Sequence, residues 1–241
     1  LGANIRFRDD FDNSLLHIAS LSQNPVSMIT LLNMGLDIEL RNKSGQTALH
    51  IAAIDNAEAV ARALIGRRAD VNRQDTLGRT ALHWACINGH VEMVKLLQSN
   101  MADKDAADEE GNTALHDAVE NEHVDCAVML LRKVIVHEKT VNRDARNLAG
   151  ETALHLAVAT GNMEIMNELM QHFVDKEVRD EKGNNPLHWA VMCGQEEATR
   201  VLLSAGVKVN TPGASEHRAI HLAVLTDNQE LVEVLASAGA N

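Results

Sequence analysis

The stretch Gly45-Gln46-Thr47-Ala48-Leu49-His50-Ile51-Ala52-Ala53-Ile54 decides the fold, because its centre recurs along the chain. Thr-Ala-Leu-His stands at Thr47–His50, Thr80–His83, Thr113–His116 and Thr152–His155. Degenerate copies are Ser14-Leu15-Leu16-His17, Asn185-Pro186-Leu187-His188 and Arg218-Ala219-Ile220-His221. The seven histidines lie 33, 33, 33, 39, 33 and 33 residues apart. A fixed period of this length marks a repeat architecture. Gly45 supplies a turn, Thr47 a helix N-cap, and Ala48–Ile54 a short helix that is apolar almost all round and therefore buried. After a break at Asp55-Asn56, the run from Glu58 to Ile65 has the apolar spacing of an amphipathic second helix. The tail Ala69–Gly78 carries the Asx and Gly chemistry of a connecting turn. One such helix pair has too little apolar area to offset its chain entropy, so the pairs must stack and share a core. The expected class is all-α.

The chain has 241 residues, 45% hydrophobic and 23% charged, within the range of soluble globular proteins. Lys and Arg number 22 against 34 Asp and Glu, a formal charge of −12. A body this acidic repels phosphate backbones, so no nucleic-acid partner is expected. Three cysteines (Cys86, Cys126 and Cys193) exclude a disulfide framework and suit a reducing compartment, the cytoplasm or else the nucleus. The longest uncharged stretch, from Asn13 to Leu36, is interrupted by Ser, Thr, Asn and Gln, so direct membrane insertion is not expected. HExxH, CxxC, GxGxxG and GxxxxGK[ST] are all absent. Successive histidines one helix layer apart are too distant to share a zinc ion. The expectation is therefore no enzyme, no cofactor, no metal and no small-molecule substrate.

The pattern resembles the ankyrin repeat family over essentially the whole chain. The match rests on the Thr-Ala-Leu-His string, Asn88-Gly89-His90 between helices and Ala69-Asp70-Val71-Asn72 in the linker. The resemblance implies a solenoid of stacked helix-turn-helix units with β-hairpin linkers, whose hairpin tips and first helices line a concave groove that binds proteins. It also implies that each repeat histidine hydrogen-bonds nearby backbone and ties one repeat to the next. Seven repeats are expected in a single domain over 1–241, at about 9–41, 42–74, 75–107, 108–146, 147–179, 180–212 and 213–241, with a six-residue insertion within 131–147. The family's linker glycine is replaced at Arg68, Met101, Val134 and Phe173, and its hairpin glycine at Asp12 and Glu216. Both ends fall at the same point of the repeat, which reads as a fragment of a longer protein.

The groove positions define the candidate contacts. Phe11, Ile54, Leu77 and Ile87 supply apolar area, as do Leu148, Met192 and Leu225 further along. Lys43, Gln46, Asp55, Arg79, Asn88 and Asn121 supply polar groups. Trp84 and Trp189 directly follow their histidines and are expected in the core. Between Met101 and Asp125 stand nine acids and one base, Lys104. Such a run is ordinarily a solvated face. The second reading gives Glu109 and Glu110 at a hairpin tip beside Asn112, and Glu120 at the end of a first helix, to a Lys/Arg-rich segment of a partner. The insertion, with five basic residues, is either a binding loop or a tolerated surface addition. The favoured function is a protein–protein interaction module for a protein or peptide partner. The alternative is a structural spacer or spring within a larger multidomain scaffold or channel.

Overall fold

The computed structural model describes residues 5–132, 140–172 and 174–241. Its contacts divide the chain into two units, Leu1–Val141 and Asn142–Asn241. The first unit holds four helix pairs: α1 (Leu15–Leu21) with α2 (Pro25–Asn33), α3 (Ala48–Ile54) with α4 (Glu58–Gly66), α5 (Ala81–Ile87) with α6 (Val91–Ser99), and α7 (Ala114–Glu120) with α8 (Val124–Leu131). The second holds three: α9 (Ala153–Thr160) with α10 (Met163–Gln171), α11 (Pro186–Met192) with α12 (Glu196–Ser204), and α13 (Ala219–Leu225) with α14 (Gln229–Ser237). Among the described residues a single 3-10 turn spans Ala214–Glu216.

In each unit the first helices form one layer and the second helices another. Within the first unit α1 packs on α3, α3 on α5 and α5 on α7, while α2 packs on α4, α4 on α6 and α6 on α8. The repeat places one buried leucine per layer in register: Leu16, Leu49, Leu82 and Leu115 on the first helices, Leu64, Leu97 and Leu130 on the second. Alanines such as Ala48, Ala52, Ala81, Ala85 and Ala118 are also fully or almost fully buried, and their small side chains let neighbouring helices close up.

The linkers keep the hairpin turn but not the strands. In the third repeat Asp75 N–H donates to Arg79 O (2.9 Å) and Gly78 N–H to Asp75 O (3.2 Å). Among the described residues the only β-type pairing is an isolated bridge, Arg8 with Ser14. The reason is local. Asp75 Oδ1 accepts the N–H groups of Leu77 (2.9 Å) and Arg79 (3.0 Å), and Asp108 Oδ1 those of Glu110 and Asn112, so side chains take donors that a ladder would need. Adjacent tips are instead joined by single backbone bonds, Lys43 N–H to Phe11 O, Thr76 N–H to Ser44 O and Glu109 N–H to Leu77 O (2.9–3.0 Å). Gly78 permits that approach: its φ is +75°, and a Cβ there would stand 2.8 Å from Glu109 N.

Arg68 and Met101 hold the left-handed backbone of the missing linker glycines, each with φ 65°, and Asp12 and Glu216 do so at hairpin tips, with φ 62° and 61°. Val134 and Phe173 lie outside the described residues, as does most of the insertion. What is described of it shows that α8 ends at Leu131 and is not lengthened. Side chains other than glycine resist this conformation. Met101→Gly is therefore expected to raise stability by up to about 1 kcal/mol, less the entropy glycine adds to the unfolded chain. An unchanged or lowered urea midpoint would show that the position carries no strain.

Candidate protein interaction surface

The helix starts position the surface. The backbone N–H of each cap residue donates to Nδ1 of the histidine three residues on, from Ser14 to His17, Thr47 to His50, Thr80 to His83, Thr113 to His116 and Thr152 to His155 (3.0–3.1 Å). With Nδ1 an acceptor, the ring proton sits on Nε2, which donates to the loop of the following repeat. His17 reaches Gln46 O (2.8 Å), His50 Arg79 O (3.1 Å) and His83 Asn112 O (3.2 Å); in the second unit His155 reaches Asn184 O and His188 Thr211 O. A second set runs backwards, His90 Nε2 to Ile54 O and His123 Nε2 to Ile87 O, both 3.0 Å. Within each unit these loops are thereby anchored to the first helix of the repeat before them.

All the residues expected to meet a partner at Phe11–Asn121 fall in the first unit. Phe11 (71% exposed) and Leu77 (47%) project at the tips, and Lys43, Glu109 and Glu110 are exposed beside them. Ile54, Asp55 and Ile87 are half-buried at the ends of first helices, where Asn88, Glu120 and Asn121 are exposed. Gln46 and Arg79 are half-buried at loop bases. Asn112 is buried (6% exposed), its N–H held by Asp108 Oδ1 (2.8 Å) and its carbonyl by His83, so it braces the tip from within.

Trp84 and Trp189 differ from expectation. Both are half-buried rather than enclosed, because each indole reaches out to its own loop, Trp84 Nε1 donating to Asp75 Oδ2 and Trp189 Nε1 to Asp180 Oδ2 (2.9 Å each). Arg79 completes the centre of the first unit's surface. Its guanidinium lies 5.3 Å from the Trp84 ring centre and 3.3 Å from the buried Asp108 Oδ2. Position in the repeat was the available signal: the residue after each histidine lies between loop base and helix.

The acidic run is not uniformly solvated. Asp103, Glu109, Glu110, Glu120, Glu122 and Asp125 are exposed, but Asp108 and Asp117 are buried. Burial pushes the Asp117 carboxyl up to about 8; Arg79 opposes the shift, and Asp108, Glu120 and Glu110 reinforce it. Desolvation also holds the thiols of Cys86 and Cys126 protonated, the latter raised to about 11. Among the described residues no helix is long and apolar enough to cross a membrane.

The model of ankyrin repeats, three copies to a match, fits residues 1–75, 62–142 and 133–213. The chain belongs to the ankyrin repeat family, whose repeats are generally protein–protein interaction modules. Among solved structures, the ankyrin repeat domain of Bcl-3, described as a unique member of the IkappaB protein family, is similar at a TM-score of 0.82 and 25% identity, covering 93% of this chain and 98% of that one. No curated protein matches the chain.

Proposed function

We propose that this is a non-enzymatic interaction module of seven repeats whose first unit receives a Lys/Arg-rich segment of a protein partner in a groove between loop tips and first helices. The observation that carries this reading is the set of exposed carboxylates at Glu109, Glu110 and Glu120 beside the half-buried Trp84 and the exposed Leu77. Acids at the rim steer a basic segment, and the indole and leucine give it apolar area to cover. Loops tied down before binding reduce the ordering entropy that association must overcome. The buried thiols Cys86 and Cys126 suit a reducing, cytoplasmic setting.

Reversing charge at Glu109, Glu110 and Glu120 together is expected to weaken binding of an oligolysine peptide at least tenfold and to flatten its salt dependence. Unchanged affinity, measured by fluorescence anisotropy at two salt concentrations, would refute the electrostatic part. A second reading, a structural spacer, draws on the backbone bonds between successive tips. It would be favoured if tip substitutions altered only stability.

A further inference from the structure

Asp117 differs from the other acids of its run. It follows His116 on α7, in the repeat position filled by Ile51 on α3 and Trp84 on α5, so a short carboxyl stands where the preceding repeat carries an indole. It is 2% exposed, and its Oδ2 has no hydrogen-bond partner. Around it are Arg79 from the loop before α5, Asp108 and Glu110 from its own loop, and Glu120 from its own helix. Cys86 of α5 is close enough to feel its charge and that of Cys126 from α8, while the acid of that helix, Asp125, is exposed. The one base in this group is already engaged with Asp108 and the Trp84 ring. A buried carboxyl oxygen without a donor, among three other acids, is held neutral by desolvation and like charge. It is an acceptor kept in reserve.

The geometry points to Asp117 as the seat of one lysine side chain of the bound segment: the ammonium, drawn in by Glu110 and Glu120, pairs with the unpartnered Oδ2, and the carboxyl proton leaves to solvent. The O–H bond of Asp117 breaks, its electron pair stays on the carboxylate, and the proton is taken up by buffer, so the complex forms with release of one proton. A lysine suits a single vacant oxygen because its ammonium is a compact point charge, whereas an arginine fork seeks two acceptors. This inference rests on the acidic face being the site of a basic segment.

Calorimetric titration with an oligolysine peptide at pH 7, in two buffers of different ionisation enthalpy, reads the protons released. About one per peptide is expected for the natural chain and none for Asp117→Asn. Affinity should rise severalfold per pH unit below about pH 8 in the natural chain and stay flat in the variant. Without any substitution, the carboxyl carbon resonance of Asp117 should move to the carboxylate position when peptide is added at pH 7. Equal affinity and equal proton release in both proteins, or an unmoved resonance in the saturated complex, would overturn the assignment and leave the acidic-face reading standing. No binding of oligolysine by the natural chain at any pH would overturn both.

Discussion

Lowering the pH from 7 to 5 is expected to move the urea midpoint of this chain sharply down. Burial, in each case the largest influence, holds His17, His50, His83, His155 and His188 below the ordinary histidine range. Geometry supplies the mechanism at His17, His50, His83 and His155, since Nδ1 already accepts a backbone N–H and cannot take a proton without breaking that bond. The unfolded histidine takes up a proton near pH 6.5 and the folded one only at a lower pH. The sign follows: this stability is fully present above pH 6.5 and is lost as the pH falls from there towards the folded values. Asp117 works the other way, because it binds a proton on folding between its ordinary 3.8 and about 8. Five protons against one leave four, each changing the unfolding free energy by ~1.4 kcal/mol per pH unit, with a ceiling of roughly 5 kcal/mol per pH unit. A midpoint that stays constant from pH 7 to pH 5 would contradict the neutral, Nε2-protonated ring.

His83→Ala should cost about 3 kcal/mol or more. The ring sits at the centre of the first unit, wholly buried. Its removal strands Thr80 N–H, worth roughly 1–3 kcal/mol, takes one of two donors from Asn112 C=O, which keeps the Asp108 N–H, and opens a cavity where the ring stood. His221→Ala provides the control. That histidine is exposed and accepts only the Arg218 N–H, so its loss should stay below about 1 kcal/mol. Equal losses from the two changes in urea unfolding would show that the bond to the next loop contributes nothing.

The period of 33 and the apolar runs made the helix pairs legible residue by residue, since only stacking could bury Ala48–Ile54 and its copies. The linkers were less so. Turn chemistry predicts a reversal at Asp75–Arg79, but whether strands follow depends on whether side chains or a partner strand take the N–H groups, and Asp75 and Asp108 take them. The exposure of Glu109, Glu110 and Glu120 was legible from their places in the repeat, and the degree of burial of Trp84 and Asp117 was not. Composition assigns a tryptophan to the core and a charge run to solvent, whereas the position after each histidine exposes part of Trp84 and buries Asp117. Hydrophobicity along the chain does not report which way a loop base faces.

The backbone bonds joining one tip to the next do not depend on which side chains stand at Phe11, Leu77 or Glu109, whereas Lys43 and Thr76 each add a side-chain bond to the preceding tip. Recognition chemistry can therefore drift at Phe11, Leu77 and Glu109 while the framework beneath persists. New specificities become reachable by exchanging a few outward-facing groups, without remaking the stack.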